Sequence, residues 1–216
     1  MKKQYIAILI FIFSVILAGC TSPEETIYEI IEASAQEEKV FEDQQKPIAD
    51  LVEEEKNLFD EIIALGLKEF EQISTLSNNA LENIDKREEH INKEKESISS
   101  SYDEFNKIVD EMEKIKDADL KKQAEDLKSI MDERYQAYEE LYTANINVLA
   151  EDRKIYELLK DENLKEEDLL AQIEARNETY EKVKEANEKF NEATDKFNEA
   201  KLQFYKDSGL NITSEV

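Results

Sequence analysis

The stretch that decides the fold is "IDKREEHINKEKESISSSYDEFNKIVDEM", residues 84–112. An apolar residue stands at every seventh position of it: Ile84, Ile91, Ile98, Phe105 and Met112. Seven residues make close to two turns of an α-helix, so these side chains share one face of the helix. An unbroken seven-residue repeat predicts a helix that packs against partner helices with a left-handed supercoil. The stretch therefore predicts an all-α protein.

Comparable apolar spacing on both sides of this stretch predicts four long helices in all. The first begins at Ser22-Pro23-Glu24-Glu25, which has the pattern of a capping box with proline at the first helical position, and it ends before Gly66. The fourth contains a heptad duplication, since "KFNEA" occurs at 189–193 and again at 196–200. The predicted helices cover about 23–65, 68–116, 119–161 and 169–206.

Short connections make successive helices antiparallel neighbours, so we expect an elongated up-and-down four-helix bundle over residues 23–206. Pro47 lacks a backbone donor and is expected to kink the first helix or split it in two. The alternative is a long three-helix bundle, in which 47–116 is one helix and 23–46 a separate helical arm. Gly66 favours the four-helix arrangement because glycine commonly ends helices. Residues 207–216 are predicted to be a flexible C-terminal tail.

The N-terminus has the pattern of an exported and lipidated protein. Lys2 and Lys3 precede an apolar run from Tyr5 to Ala18, which suits a signal peptide and is too short for a comfortable membrane-spanning helix. Leu17-Ala18-Gly19-Cys20 resembles a bacterial lipobox. This resemblance implies that residues 1–19 are cleaved off between Gly19 and Cys20. Cys20 would then carry an S-diacylglycerol group and, after N-acylation, a third chain, leaving 20–22 as the lipidated N-terminus. An ordinary secretory signal is the alternative.

The composition excludes several classes of function. Loss of Lys2 and Lys3 with the signal lowers the formal net charge from −25 to −27, so nucleic acid is not an expected partner. Only three glycines occur, which argues against phosphate-binding loops. Metal sites in helical bundles use Glu-x-x-His pairs, but Arg87 stands three residues before the single histidine, His90. We therefore expect no metal site, no cofactor and no enzymatic activity.

Several polar residues interrupt the apolar faces near the middle of the predicted bundle. They are Arg87, His90, Asn145, Asp152 and Arg176. An unpaired buried charge costs several kcal/mol, so Asp152 is expected to pair with Arg176 or Arg87. The layer has two interpretations: a small binding site inside the bundle, or a polar device that fixes the alignment of the helices.

Four segments carry a resemblance to a known family: "PEETIYE" at 23–29, "QQKP" at 44–47, "LFDEIIALG" at 58–66 and "IDKREEHINKEKESI" at 84–98. Together with the lipobox they resemble the YkyA-like cell-wall-binding lipoproteins of Gram-positive bacteria. The resemblance implies a helical bundle on the extracytoplasmic face of the cell membrane, with a proposed association with the wall. It implies no catalytic residue, and Cys20 is the one defined functional position that it carries over.

Two functions follow as expectations. The first is a membrane-anchored, non-enzymatic lipoprotein that binds peptidoglycan or another cell-wall polymer. The second is a membrane-tethered adaptor or scaffold that binds another envelope protein through helix packing. In both, the acyl chains provide the contact with the membrane, because a strongly acidic protein has no polybasic surface for anionic lipids.

Overall fold

The computed structural model describes residues 21–66 and 69–210. The described residues contain helices and connecting turns, and no strand occurs among them. No helix in this part of the chain has the length and hydropathy needed to cross a membrane. The helices are α1 (Pro23–Glu37), α2 (Lys39–Leu65), α3 (Phe70–Phe105), α4 (Ile108–Met112), α5 (Ala118–Leu159) and α6 (Glu166–Asp207).

These six helices build a four-helix bundle. The first column consists of α1 followed by α2, the second of α3 followed by the short α4, and α5 and α6 are the third and fourth. Helix α3 packs against α1, α2 and α5, while α5 packs along α6. The all-α bundle is thus confirmed. The three-helix alternative is wrong, because Gly66 ends α2 with φ 66° and ψ 166°, a conformation that is essentially confined to glycine.

Local signals in the sequence account for how several helices begin and end. The Ser22 side chain accepts a hydrogen bond from the Glu25 amide at 3.1 Å, and the Glu25 carboxylate accepts one from the Ser22 amide at 3.0 Å. Asp117 caps α5 by accepting hydrogen bonds from the amides of Asp119 and Leu120. Each cap satisfies backbone donors that have no partner inside the helix.

The core is a seam of three apolar clusters along the bundle. All five residues of the seven-residue repeat are buried in this seam. The first cluster includes Ile31, Phe105 and Phe204. The second includes Phe41, Tyr138 and Phe190. The third lies at the far end of the bundle and includes Ile62, Ile84 and Leu159. Burial of this apolar surface is the main force that holds the helices together.

The first column is interrupted at Glu38, whereas α2 continues through Pro47, so the predicted split at Pro47 is wrong. The Glu38 carboxylate accepts two hydrogen bonds from the Arg134 guanidinium of α5, both at 2.7 Å, and one from Ser101 at 2.8 Å. Ser97 compensates the backbone at the break: its hydroxyl accepts from the Phe41 amide and donates to the Glu37 carbonyl. Buried backbone groups need hydrogen-bond partners. Because Ser97 provides them here, the helix can be interrupted at Glu38 without leaving these backbone groups unpaired.

The structure describes only part of the predicted N-terminal and C-terminal segments. Residues 1–20, which include the predicted signal peptide, Gly19 and Cys20, lie outside the described residues, as do 211–216. Helix α6 continues to Asp207, and Leu210 packs against the first apolar cluster. The beginning of the segment assigned to a flexible tail is therefore part of the packed bundle.

A buried carboxyl group lies between the second and third apolar clusters. Glu94 of α3 projects inward and accepts a hydrogen bond from the side-chain amide of Gln45 on α2. Burial raises the pKa of Glu94 to about 8, because the charged form loses its hydration without gaining a cationic partner. The folded protein therefore retains a proton there at pH values where the unfolded chain has released it.

Replacement of Pro47 by alanine should stabilise the protein. Pro47 lies inside α2, where an alanine would supply the missing backbone donor. Part of the gain is offset because proline also restricts the unfolded chain, so we expect an increase of about 1–2 kcal/mol in the free energy of unfolding. Urea denaturation measures it. Pro23→Ala is the matched control, since a proline at N1 has no intrahelical bond to restore and should give no gain. An unchanged or lower stability for Pro47→Ala would contradict the expectation.

Replacement of Glu94 by glutamine should remove part of the pH dependence of stability. Because the folded pKa is raised, the wild-type protein loses stability as the pH rises from about 5 to 8. The variant should not share this loss, and at pH 8 it should be more stable by an amount on the order of 1–3 kcal/mol. Denaturation at a series of pH values tests this, with Glu96→Gln, at an exposed position on the same helix, as control. Parallel profiles for wild type and Glu94→Gln would refute the assignment.

Candidate functional site

A cleft opens between α2 and α6 in the half of the bundle that lies farther from the N-terminus. The buried residues of α6 all lie between Ala186 and Tyr205, so the first half of this helix, 166–185, packs less deeply. The resulting space has a volume of about 360 Å³. Its walls come from α2 and α6, and its floor from α3 and α5. The lining residues include Glu55, Phe59, Arg87, Asp152, Tyr156, Arg176 and Tyr180.

The floor of the cleft is a buried ion-pair network centred on Arg87. The Arg87 guanidinium donates to the carboxylate of Glu55 on α2 and, at 2.5 Å, to that of Asp152 on α5. Tyr156, one helical turn after Asp152, donates its hydroxyl to the other oxygen of Glu55 at 3.1 Å. All four side chains are buried. Such a network is tolerated inside a protein only because each charged group has partners, and it links α2, α3 and α5 at one height.

Arg176 of α6 extends this network to the rim of the cleft. Its Nε donates to Asp152 at 2.9 Å, so Asp152 lies between two guanidinium groups. Neither terminal amino group of Arg176 has a hydrogen-bond acceptor among the described residues. The guanidinium carbon lies 5.2 Å from the ring centre of Tyr180, one turn further along α6. Arg176 is thus held in position at one nitrogen, and its partly exposed side chain lines the cleft.

The electrostatics of the cleft depend on Glu55. Burial raises the pKa of the Glu55 carboxyl group against the opposing effect of Arg87, and the neighbouring Asp152 raises it further. Burial and the proximity of Glu55 likewise raise the pKa of the Tyr156 phenol, which stays protonated and able to donate. The inner face of the cleft therefore combines two arginines with two acidic side chains that pair with them.

The structure brings three of the five sequence-predicted polar residues together. Arg87, Asp152 and Arg176 form one network, in which Asp152 contacts both arginines. His90 does not join it, because its Nδ1 lies 2.7 Å from the side-chain oxygen of Gln44 on α2. Asn145 is half-buried and takes no part in the hydrogen bonds of the network.

Two participants were missed by the sequence analysis. Glu55 and Tyr156 complete the network, and a signal for Glu55 was present: it stands seven residues after Ile48 and seven before Ile62, both on the apolar face of α2. A carboxylate at a position of that periodicity indicates burial. Tyr156 carried no comparable signal, because tyrosine is common at the edge of a core.

The described residues hold no cluster of three His, Cys, Asp or Glu side chains suited to a metal ion. In the cleft, the carboxylates of Glu55 and Asp152 are engaged by arginine or tyrosine, and that of Asp60 pairs with Lys56. No thiol or imidazole is present among the lining residues. The arrangement is suited to hydrogen bonding and charge pairing with a bound molecule.

Comparison with known proteins assigns the family. The sequence profile of the YkyA family, described as "Putative cell-wall binding lipoprotein", matches residues 22–207. The "Uncharacterized lipoprotein YkyA" of Bacillus subtilis (strain 168) is 34% identical over 172 residues, which cover 79% of this chain and 77% of that protein. A crystal structure of a conserved protein of unknown function from Staphylococcus aureus shares the fold, with a TM-score of 0.72 and 17% identity over 84% of this chain and 91% of that one. The chain belongs to the YkyA family of lipoproteins.

Proposed function

We propose that the protein is a non-enzymatic lipoprotein, anchored at the extracytoplasmic face of the cell membrane, that binds a cell-wall polymer in the cleft between α2 and α6. The observation that carries the proposal is the partly open network of Arg87, Asp152 and Arg176 at the floor and rim of this cleft. Polar groups of this kind, converging in a concave site with aromatic walls, are typical of ligand-binding pockets. The family description supports the wall as the source of the ligand.

The anchor in this proposal is Cys20. Cleavage after Gly19 would leave Cys20 as the first residue, only two positions before the Ser22 cap of α1. A buried methylene group contributes about 0.8 kcal/mol, and stable anchoring requires two acyl chains, which one diacylglycerol provides. The start of the bundle would therefore stand directly at the membrane surface.

The position of the cleft suits a ligand beyond the membrane. The column formed by α1 and α2 runs from Pro23 past Glu55 without reversing direction. At a rise of about 1.5 Å per residue, the chain between these two residues spans roughly 48 Å. With the bundle axis directed away from the membrane, the cleft would face the inner layers of the wall.

The strong negative charge restricts how a wall polymer can bind. A formal net charge of −25, or −27 without the signal peptide, repels anionic polymers at long range, although screening limits this to a Debye length of about 8 Å. Contact must therefore be local, and the two arginines of the cleft offer cationic groups within this acidic surface. The same charge makes nucleic acid an unsuitable ligand.

A second candidate function, an adaptor that docks another envelope protein, has one observation in its favour. At the far end of the bundle, an apolar pocket of about 340 Å³ lies beside two exposed hydrophobic side chains, Ile63 and Leu170. Exposed apolar patches of this kind often bind helices of partner proteins. A partner at this end would sit far from the predicted lipid.

The soluble fragment 21–216, which contains all six helices, should sediment with purified cell wall. We expect saturable binding that persists after removal of teichoic acid and does not require a divalent cation, because the cleft offers its own cationic groups. Pelleting assays with intact or stripped wall, with and without Ca²⁺, measure this. Binding only with teichoic acid and Ca²⁺ would assign recognition to the acidic surface instead of the cleft. Absence of binding in every condition would contradict wall recognition and favour the adaptor.

In cells, the full chain should fractionate with the membrane and incorporate a labelled fatty acid. Cys20→Ser should abolish the label and release the protein from the membrane fraction, because the described helices include no membrane-spanning segment. Thr21→Ala, which keeps the cysteine, is the matched control. A Cys20→Ser protein that still carries the label, or one that remains membrane-bound after its signal is cleaved, would refute the anchor.

A further inference from the structure

We propose that the cleft recognises a ligand through a free carboxylate group, that Arg176 binds this carboxylate, and that Tyr180 contacts the adjoining sugar or peptide. This deepens the proposed function and rests on it, since a peptidoglycan fragment with free peptide carboxylates is the wall component that fits this chemistry.

The geometry of Arg176 leaves a recognition surface unused. A guanidinium group has five N–H donors in a planar fork, and Arg176 uses the one at Nε for Asp152. Asp152 is itself held by Arg87, so the guanidinium of Arg176 is oriented by a buried pair. Its side chain is 32% exposed and lines the cleft. An oriented fork with free terminal amino groups matches a carboxylate, which can accept two parallel hydrogen bonds.

The cleft has a balanced charge within a strongly acidic chain. Three cations, Lys56, Arg87 and Arg176, and three acids, Glu55, Asp60 and Asp152, line it. Lys56 and Asp60 lie on the rim as an exposed pair, with the Lys56 Nζ 3.8 Å from the Asp60 carboxylate. Deeper in, Glu55 and Asp152 pair with Arg87, and Asp152 also accepts from Nε of Arg176, whose terminal amino groups have no acceptor among the described residues. An incoming carboxylate would therefore meet a cationic group with free donors at this site, in contrast to the acidic character of the whole chain.

The size and the walls of the cleft suit a small ring or a short peptide. A volume of about 360 Å³ lies within the range of small-molecule sites, roughly 300–1,000 Å³. The exposed ring of Tyr180 and the exposed side chain of Val52 form apolar surfaces on opposite walls. Aromatic rings beside a charged anchor provide contact area without a large loss of side-chain entropy. The cleft therefore fits one ring or a short peptide segment of a polymer unit.

Arg87 and Arg176 differ in burial, and we expect them to have different roles. Arg87 is buried and compensates both Glu55 and Asp152, which ties the helices together. Arg176 is partly exposed, and Asp152 would keep its contact with Arg87 if Arg176 were replaced. The loss of Arg176 should therefore affect binding far more than folding. This distinguishes a recognition role from a purely structural one.

Calorimetric titration tests the proposal on the 21–216 fragment. The probe is a peptidoglycan disaccharide–tetrapeptide with free carboxylates, compared with the same compound in which the carboxylates are amidated. For the wild-type protein, amidation should weaken binding by about ten- to a hundredfold, since a charge-assisted contact is lost. Arg176→Gln should weaken binding of the free acid by a similar factor and should bind both compounds equally. Arg176→Lys, which keeps the charge without the planar fork, should be intermediate.

Arg153→Gln is the matched control. Arg153 lies on α5 with a similarly exposed side chain and donates to Asp85 and Glu88 on α3, at 2.5 and 2.7 Å. Its replacement removes the same charge from a pair outside the cleft, and affinity should be unchanged. The amidated probe tests the wild-type protein directly, so the outcome does not depend on whether a variant folds.

The results separate this inference from the proposed function. If the wild type sediments with wall but binds both probes equally, or if Arg176→Gln retains full affinity, carboxylate recognition is refuted while wall binding stands. If neither wall nor probe binds, wall recognition itself fails, and the carboxylate inference fails with it. Equal weakening by Arg153→Gln and Arg176→Gln would show a general effect of charge and would also overturn the assignment.

Discussion

The buried guanidinium of Arg87 must be paired with carboxylates, and this requirement constrains how the helices of the bundle align. Arg87 lies inside the core and contacts a carboxylate on α2 and another on α5, and the second of these also binds Arg176 on α6. A slide of any one helix along its neighbours would leave a charge unpaired, at a cost of several kcal/mol. Apolar faces of similar side chains do not by themselves choose among such registers. The charged network provides that choice.

Buried polar contacts also constrain the helix alignment at two other positions along the bundle axis. Glu38 joins the first column to α5 through Arg134, and Glu94 accepts a hydrogen bond from Gln45 across α2 and α3. These polar groups alternate with apolar clusters along the seam, so the long bundle is divided into short segments, each with its own register constraint. At Glu38 the constraint also interrupts the helix, and Ser97 supplies the hydrogen bonds that the backbone requires at the break.

The proposed binding site lies where one of these layers reaches the surface. The first half of α6 packs less deeply than the second, and the polar layer around Arg87 is therefore accessible from the gap between α2 and α6. In the proposed function, the structural network and the recognition surface share residues, because the buried pair orients the partly exposed guanidinium of Arg176. The family relationship and the fold shared with the Staphylococcus aureus protein describe the scaffold, whereas the proposed chemistry depends on the residues of this cleft.

The sequence alone determined the features that depend on neighbouring residues. The seven-residue repeat, the Ser22 capping box and the turn at Gly66 involve residues within a few turns of each other, and the structure contains all three. Arg87, Asp152 and Arg176 could be identified because charges on an apolar face require partners. The break at Glu38, the participation of Glu55 and the cleft itself depend on side chains that are distant in the chain. Only the tertiary structure decides which of these meet, because the alignment of four helices is set by all of their contacts together.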